Sequence, residues 1–281
     1  MSVTPEGRER EMLSELGASL FESQIREKRV SVLDLLERFK TANLSISTFI
    51  DMLPPIRVRT YSISSTSNWK PSYASLTISV VEEPALSEQG IFYGVASNFL
   101  ADVIPGDALH ITIRPGKELF SPPSDASAYP IIMVGSGSGL APFRGFIQDR
   151  AIQKRKGVVL QPALLFFGCR GPQLDDLYRD EFDKMEAEGV VSIRRAFSSD
   201  HRTYVQDKLI ADRKDVIALW NRGAKVYVCG RINMADSVKT AFTKIIHNSR
   251  GGNGELDKTI ADELFEQVIS SRYVSEVFSQ T

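Results

Sequence analysis

The chain of 281 residues is poor in the groups that build metal centres and disulfide frameworks. It contains two cysteines, Cys169 and Cys229, and three histidines, His110, His201 and His247. Neither cysteine belongs to a CxxC or Cys/His cluster, and the histidines lack the spacing of a ligand set. We therefore expect no metal and no disulfide framework. This cysteine usage favours the cytoplasm as the location of the protein.

The sequence also lacks an excess of charge of one sign and any long apolar run. Thirty-four Lys and Arg against thirty-five Asp and Glu leave a net charge of −1, so no global basic field is available to bind nucleic acid. The longest apolar runs, PIIMVG and ALLFFGC, are far shorter than the roughly 20 residues of a membrane span. We expect no nucleic-acid partner and no membrane insertion by this chain. Membrane association would require a partner or a missing segment.

The first 120 residues change from a helical to a strand-like pattern. Apolar residues recur at three- and four-residue steps from Glu9 to about Phe39, which predicts two amphipathic helices. Pro54 and Pro55 end this pattern, and RVRTYSISS, ASLTISVVEE and LHITIRPG follow with near alternation of β-branched residues. Residues 56–120 are therefore predicted to form antiparallel sheet. The Pro- and Ser-rich stretch 121–127 is the predicted domain boundary.

Strand and helix patterns alternate beyond this boundary. The apolar runs YPIIMVG, ALLFFGCR, VSIRRAFS and KVYVCG each precede a helical pattern, and a last helix precedes YVSEVF. Parallel strands buried on both faces have such continuous apolar runs and need helical crossovers. This half is thus predicted to be a doubly wound α/β domain with nucleotide-binding potential.

A glycine-rich turn, GSGSGLAPFRGF, follows the first of these strands. At Gly135, Gly137 and Gly139 the absence of side chains would let a pyrophosphate approach backbone N–H groups and a helix N-terminus. Such a turn can also be a packing device only, so this motif alone leaves the choice open.

Two motifs in the antiparallel half add to this signal. RTYS contains Arg59, which can pair with a phosphate, and Tyr61, which can stack on a flat heterocycle. GVASN, at 94–98, supplies free backbone donors where a sheet meets a short helix. RTYS alone is also compatible with a strand that alternates solvated and core residues. In this order and context, however, the motifs describe a flavin dinucleotide site.

Together these motifs resemble a known family. RTYS, GVASNFL, MVGSGSGLAPFRGF, FFGCR with LYRDEF, AFSS with TYVQ, VYVCG and YVSEVF are similar to the FAD- and NADPH-binding part of diflavin NADPH-cytochrome (NADPH-hemoprotein) reductases. The likeness extends to the reductase half of self-sufficient fatty-acid monooxygenases, within the ferredoxin-NADP reductase-like superfamily. It covers essentially the whole chain.

The resemblance implies an α/β plus β fold of the ferredoxin-reductase-like type. A helical remnant of a connecting domain would span 1–55, and an incomplete, truncated antiparallel FAD-binding β-barrel would span 56–125. A doubly wound parallel-sheet NADP-binding domain would span 126–281. The implied activity is hydride transfer from NADPH to FAD, with electrons passed to an FMN domain or haem protein. FMN is expected only on a missing or partner domain.

The resemblance also assigns site residues. Those for FAD are Arg59, Thr60, Tyr61, Ser62, Thr77, Ile78, Ser79, Gly94, Val95, Ala96, Ser97 and Phe278. Those for NADP are Gly135, Gly137, Ser138, Gly139, Arg170, Ser198, Ser199, Arg202, Tyr204, Gln206, Asn233 and Met234. Those for hydride transfer are Ser62, Cys229 and Glu276, with Phe278 as the terminal aromatic that must move aside for the nicotinamide. Without the resemblance, Cys229 and Phe278 would be interpreted as core residues.

Three positions depart from the family pattern. Ser199 stands where an arginine is usual, which places the preference for NADPH over NADH in question. Glu276 replaces the usual Asp, and Phe278 replaces the Trp of the cytochrome-reductase branch. We interpret the acidic group Asp175, Asp176, Asp180 and Glu181 as a solvated face.

Two alternatives to this function stay open. The front strands of the family's barrel and its FMN domain are not recognisable in the sequence, so we expect an incomplete FAD cradle. One alternative is a non-catalytic nucleotide-binding fragment, which the short barrel favours. The other is a simple FAD-dependent NAD(P)H reductase without FMN, which the helical segment before RTYS disfavours.

Overall fold

The computed structural model describes residues 7–116, 120–252 and 256–278. These residues divide into two compact units. The first comprises the described residues up to Thr60 together with Val80–Ala108, and the second comprises Tyr61–Ser79 together with the described residues from Leu109 onwards. The glycine-rich stretch GGNG at 251–254, whose composition predicts a loop, lies in part outside the described residues.

The first unit begins with short helices. They are α1 (Arg8–Gly17), a π-helical turn (Phe21–Arg26), α2 (Val32–Arg38) and α3 (Ile46–Met52). The prediction of helices between Glu9 and Phe39 is confirmed. Helix α3 lies beyond that range and was not predicted as a separate helix. Ser31 and Asp34 form a capping box that begins α2, with N–O distances of 2.7 and 3.0 Å. Leu53, which precedes Pro54, is extended and ends α3.

A hairpin and one further helix complete the first unit. Strand β1 (Glu82–Pro84) pairs antiparallel with β2 (Ile91–Tyr93), and α4 (Val95–Asp102) follows at once. The small antiparallel sheet of the prediction is therefore present. It is smaller than predicted, because RVRTYSISS and LHITIRPG form no ladder within the described residues, where one isolated bridge joins Ile63 to Leu76.

The physical reason is that an alternating pattern produces a strand only where a neighbouring strand satisfies its backbone groups. Ile56, Val58 and Ile111 are 87%, 78% and 73% exposed, as expected for strand-type segments with no sheet to bury their apolar side.

The second unit contains a five-stranded parallel sheet, as predicted. Its strands are β3 (Ile131–Ser136), β4 (Ala163–Cys169), β5 (Ser192–Phe197), β6 (Lys225–Arg231) and β7 (Tyr273–Phe278), and their order is β5-β4-β3-β6-β7. The chain leaves β3 towards β4 and β5 on one side and returns on the other side to β6 and β7. This reversal creates a switch point between the carboxyl ends of β3 and β6, where doubly wound sheets bind ligands.

Helices connect these strands. They are α5 (Ala141–Arg155), α6 (Arg179–Ala187), α7 (Ser198–His201), α8 (Val205–Ala211), α9 (Arg213–Asn221), α10 (Ile232–Ser249) and α11 (Lys258–Leu264). A 3₁₀ turn (Gly137–Leu140) precedes α5, and a π-helical turn (Phe265–Ile269) and a 3₁₀ turn (Ser270–Arg272) follow α11.

The inner strands β3, β4 and β6 bury both of their faces. Along β3, Ile132 and Val134 belong to one core cluster, and Ile131 and Met133 belong to the other. This alternation follows from the two-residue period of a strand, and it explains why the sequence shows continuous apolar runs. Two buried clusters thus fix the sheet whose carboxyl edge positions the site.

None of the helices in the described part of the chain combines the length and apolar character needed to cross a bilayer. Across the same residues, no cluster of His, Cys, Asp or Glu side chains has the arrangement of a metal site.

Candidate functional site

The glycine turn lies at the switch point, between the end of β3 and the start of α5. Gly137 has a φ of 53°, and a Cβ atom there would contact nothing within 4 Å. Gly139 is different, because its Cβ would lie 2.3 Å from the carbonyl oxygen of Cys229 on β6. One side of the turn is therefore packed on backbone, and the other side is open to a ligand. Backbone N–H groups at the start of α5 give this edge the polarity that favours an anion.

A second group of predicted residues lies where β4 and β5 end. The backbone N–H of Ser199 donates to the carbonyl of Arg170 over 2.9 Å, and the Ser198 hydroxyl lies 3.5 Å from the carbonyl oxygen of Cys169. Asp175 accepts from the backbone N–H of Arg170 at 2.6 Å and from its Nε at 3.2 Å. The structure thus brings Arg170, Ser198 and Ser199 together and uses Asp175 to orient the arginine.

Three further predicted residues follow this edge. Arg202 has a φ of 48° directly after α7, and it is exposed. Tyr204, 50% exposed, precedes α8, where its backbone N–H donates to Asp207 over 2.9 Å. Gln206 lies in the first turn of α8. A guanidinium and a phenol thus lie exposed in the segment that follows β5.

Asn233 and Met234 begin α10 directly after β6. A Cβ on Gly230, whose φ is 154°, would lie 2.3 Å from the Met234 methyl carbon and 3.3 Å from the Ser136 hydroxyl. Met234 is therefore packed beside the glycine turn, whereas Asn233 is exposed.

The predicted catalytic group occupies strands β6 and β7. Cys229 is opposite Glu276 in the register of this strand pair. The thiol is 1% exposed, and burial, reinforced by the negative charge of Glu276, raises its pKa to about 12. Cys229 is therefore a neutral thiol at physiological pH. Phe278 ends the described part of β7, is 41% exposed and is opposite Arg231 in the register.

A cleft lies beside this strand pair within the second unit. Its volume is about 380 Å³, and Ser62 and Glu276 both line it, together with Phe120 and Phe146. The size falls in the range of small-molecule sites. The structure thus brings two of the predicted catalytic residues to one cleft, and Cys229 is beside one of them.

The predicted FAD residues lie in both compact units. Arg59 and Thr60 belong to the first unit, and Tyr61, Ser62 and Thr77–Ser79 belong to the second. The Thr77 hydroxyl is 2.7 Å from the hydroxyl of Tyr178. Arg59 is exposed, and its guanidinium donates to the carbonyl of Arg57.

The GVAS segment has a well-defined turn at the start of α4. A Cβ on Gly94 would lie 2.9 Å from the Val81 side chain, so the backbone approaches the strand segment closely. The Ser97 hydroxyl accepts from the N–H of Val81 at 3.0 Å and donates to the carbonyl of Gly94 at 3.2 Å. Ser97, which is buried, therefore holds the turn, and the first N–H groups of α4, at Val95 and Ala96, have no intrahelical acceptor.

The interpretation of the acidic group as a solvated face is wrong for Asp176, and Asp175 and Glu181, whose side chains are 22% and 27% exposed, are paired with arginines. The Asp176 side chain is 1% exposed and accepts from Arg195 at 2.9 Å, and Glu181 accepts from Arg144 at 2.9 Å. Both arginines are distant in sequence from these carboxylates, and the buried Asp176 carboxylate requires such a partner.

Sequence reasoning also missed Arg144. Its side chain is 13% exposed although it lies in the apolar FRGF run of the glycine motif. An arginine between two core phenylalanines was the available signal, because such a charge has to be paired when the helix packs.

Comparisons with known proteins agree with this architecture. Residues 1–99 match the family described as FAD binding domain, and residues 133–240 match the family described as Oxidoreductase NAD-binding domain.

Three curated relatives were compared over nearly the whole chain. The self-sufficient cytochrome P450 monooxygenase CYP505AG1 of Oidiodendron maius is 63% identical over 100% of this chain and 27% of its own length. The self-sufficient cytochrome P450 monooxygenase CYP505U2 of Exserohilum turcicum is 46% identical over 96% of this chain and 26% of its own length. The bifunctional cytochrome P450/NADPH–P450 reductase of Fusarium oxysporum is 45% identical over 95% of this chain and 26% of its own length.

The chain spans about a quarter of the length of these relatives. Its two family matches support FAD and NADP(H) as cofactors, and they confirm the resemblance inferred from the motifs. The chain therefore belongs to the ferredoxin-NADP reductase-like flavoproteins, and it is homologous to the reductase part of self-sufficient cytochrome P450 fusion enzymes.

Proposed function

We propose that this chain is an oxidoreductase module that transfers hydride from NADPH to FAD and passes the electrons to an FMN domain or a haem protein. One observation carries the proposal. A single compact unit holds the open glycine turn, the neutral Cys229 opposite Glu276, and the cleft that Ser62 and Glu276 share. The name of the Fusarium oxysporum relative, bifunctional cytochrome P450/NADPH–P450 reductase, supports this direction of electron flow.

The NADPH pyrophosphate would bind at Gly135, Gly137, Ser138 and Gly139. The open side at Gly137 fits an anion, because backbone N–H groups can approach it without an intervening side chain. The other NADPH residues are proposed to be Arg170, Ser198, Ser199, Arg202, Tyr204, Gln206, Asn233 and Met234. A 2′-phosphate needs cationic and hydroxyl donors, which Ser198, Arg202 and Tyr204 can provide, with Arg170 at the same edge of the sheet.

A set of twelve residues would bind FAD. They are proposed to be Arg59, Thr60, Tyr61, Ser62, Thr77, Ile78, Ser79, Gly94, Val95, Ala96, Ser97 and Phe278. The free N–H groups at the start of α4 suit an anionic group, and the cleft volume of about 380 Å³ suits a flat ring system.

When bound, NADPH supplies a hydride and FAD accepts it. The protein's own contribution is alignment and electrostatics. Ser62 offers a hydroxyl at the cleft. Glu276 places a carboxylate there, whose negative charge would stabilise positive charge that develops at the cleft during hydride transfer. Cys229 remains protonated because burial and Glu276 raise its pKa to about 12, so it adds no charge of its own. Phe278, exposed at the end of β7, is proposed to cover the flavin side of the site.

The proposal is tested by acceptor assays on the FAD-loaded chain. NADPH oxidation coupled to ferricyanide reduction should be fast, and addition of an FMN domain from one of the relatives should give electron transfer to cytochrome c. Reduction of ferricyanide with no transfer to the FMN domain would instead identify a simple FAD-dependent reductase without FMN. Failure to oxidise NADPH with FAD bound would contradict hydride transfer.

A second candidate is a non-catalytic nucleotide-binding fragment. It is favoured by the small antiparallel part, which within the described residues consists of one hairpin and a single bridge. Stoichiometric NADP⁺ binding by a folded chain that retains no flavin would support this candidate.

We also propose a domain division and a location. The helical segment would span 1–55, the FAD-binding part 56–125 and the NADP-binding domain 126–281. The free thiols of Cys169 and Cys229 support a reducing compartment, the cytoplasm.

A further inference from the structure

Arg144 is the centre of a polar cluster that the proposed mechanism does not use. Its Nε donates to Glu181 at 2.9 Å, and its Nη1 donates to the carbonyl of Ser64 at 3.1 Å and to the hydroxyl of Ser75 at 3.0 Å. Its guanidinium also lies 4.3 Å from the centre of the Tyr178 ring. This largely buried side chain of α5 thus contacts two points of the segment Tyr61–Ser79, which we call the ribbon.

The ribbon folds back on itself between these two points. The N–H of Ser64 donates to the carbonyl of Ser75 at 2.7 Å, the hydroxyls of the same two residues are 2.9 Å apart, and Ile63 bridges Leu76. Because Arg144 contacts both limbs, it fixes their separation as well as their position on α5.

Neighbouring contacts show how closely the ribbon packs on α5. A Cβ on Gly145 would lie 3.3 Å from the backbone of Ser65. Asp149 accepts from Asn68 at 2.7 Å, and Tyr178 is 2.7 Å from Thr77. Residues of α5, and Tyr178 directly before α6, therefore attach the ribbon at several points between Ser64 and Thr77.

The ribbon and α5 carry opposite halves of the proposed site. The ribbon begins with Tyr61 and Ser62 and ends with Thr77–Ser79, which are proposed FAD residues, and Ser62 lines the cleft. Helix α5 begins directly after the glycine turn, the proposed NADPH pyrophosphate site.

We infer that Arg144 is a positioning residue that sets the placement of Ser62 and the flavin relative to the nicotinamide. The inference rests on the proposed function. An arginine suits this role because its planar guanidinium can pair with a carboxylate, donate to two further acceptors and stack on an aromatic ring at once. A lysine keeps the charge but not this geometry.

The experiment uses the full 281-residue chain and the variant Arg144→Met, which keeps an unbranched apolar stem and removes the guanidinium. Arg155→Met, an exposed arginine at the other end of α5, is the matched control. Without any cofactor, amide hydrogen exchange in residues 61–79 should accelerate by about tenfold in Arg144→Met, whereas β3 and β6 should exchange as in the wild type.

Cofactor binding provides the second readout. FAD titration should give a dissociation constant about tenfold higher in Arg144→Met, with a changed visible spectrum of the bound flavin, and NADP⁺ should bind within about twofold of the wild type. In the loaded chain, kcat should fall while KM for NADPH stays constant. Arg155→Met should match the wild type in every readout.

Wild-type amide hydrogen exchange in residues 61–79 together with wild-type FAD binding in Arg144→Met would overturn the inference. Equal loss of FAD and NADP⁺ binding would also overturn it, because that result indicates a general structural role. If Arg144→Met does not fold, the same measurements are made on Arg144→Lys, which retains the charge, and they are judged by the same criteria. A wild-type chain that binds no FAD would refute the proposed function and the flavin-placing role with it, whereas hydrogen exchange would still decide whether Arg144 holds the ribbon.

Discussion

Gly139→Ala is the substitution that most directly probes the packing of the glycine turn on β6. The added Cβ would lie 2.3 Å from the carbonyl oxygen of Cys229 and 2.8 Å from its carbonyl carbon. Both are backbone atoms of a central strand, so a side-chain rotation cannot relieve the clash. To bring the added Cβ and the Cys229 carbonyl to an ordinary van der Waals distance, the turn or the strand would have to move by about 1 Å.

This displacement should lower both stability and nucleotide binding. Overpacking of this kind costs about 1–3 kcal/mol, which corresponds to a fall in melting temperature of about 2–12 °C. Because the same displacement moves the proposed pyrophosphate site, the dissociation constant for NADP⁺ should rise by at least about tenfold.

Gly223→Ala is the matched control for this experiment. Gly223 also has a positive φ, 86°, but its added Cβ would meet nothing within 4 Å, and the residue precedes β6 at the opposite edge of the sheet. It should show a small loss of stability from backbone strain and wild-type NADP⁺ binding. Thermal unfolding and isothermal titration measure both quantities. If Gly139→Ala behaves like Gly223→Ala, the packing argument is refuted.

Three further predictions concern Cys229, Phe278 and Arg170. Cys229→Ala should slow flavin reduction by NADPH in stopped-flow experiments while NADP⁺ binds normally. Because the folded-state pKa of Cys229 is raised from 9.0 to about 12, its contribution to stability should be complete below pH 9 and be lost as the pH rises towards 12, and Cys229→Ala should reduce this dependence. Phe278→Ala should raise the ratio of NADH to NADPH turnover, since the exposed ring would no longer limit nicotinamide entry. Arg170→Met should weaken NADP⁺ binding by about tenfold and leave NADH binding unchanged, with Arg179→Met as the control.

Each of these predictions can fail independently. A wild-type rate of flavin reduction in Cys229→Ala would remove the thiol from the catalytic group, and an unaltered cofactor ratio in Phe278→Ala would remove its gating role. Equal weakening of NADP⁺ and NADH binding in Arg170→Met would show that this arginine does not recognise the 2′-phosphate.

The parallel sheet could be predicted from sequence because its determinants are local. Strands buried on both faces appear as unbroken apolar runs, and the turn that follows β3 is marked by its glycines. The start of α2 at the Ser31 capping box and the end of α3 before Pro54 are likewise determined by residues that are close in sequence. Such features need no knowledge of distant contacts.

The extent of the antiparallel part could not be predicted in the same way. The segments around Val58 and Ile111 have the β-branched residues of strands, but a strand depends on hydrogen-bond partners supplied by other segments. Alternation therefore identifies a segment that is able to pair and leaves open whether it does so.

The site was predictable in part for the same reason. Gly139 and Cys229 belong to recognisable motifs, and the pairing of β3 with β6 places the turn that contains Gly139 against Cys229. The role of Arg144 was missed because its acceptors, Ser64 and Ser75, are 80 and 69 residues away in the sequence. Glu181 was assigned to a solvated face because its partner lies on another helix, 37 residues away.

The proposed function depends on hydride transfer from NADPH to FAD by this chain. The most direct test is the visible spectrum of the purified chain after FAD reconstitution, followed by NADPH addition under anaerobic conditions. We expect a bound flavin band that bleaches on NADPH addition, with slower bleaching in Cys229→Ala. A bound flavin that keeps its oxidised spectrum, or a folded chain that retains no flavin, would contradict the proposed function.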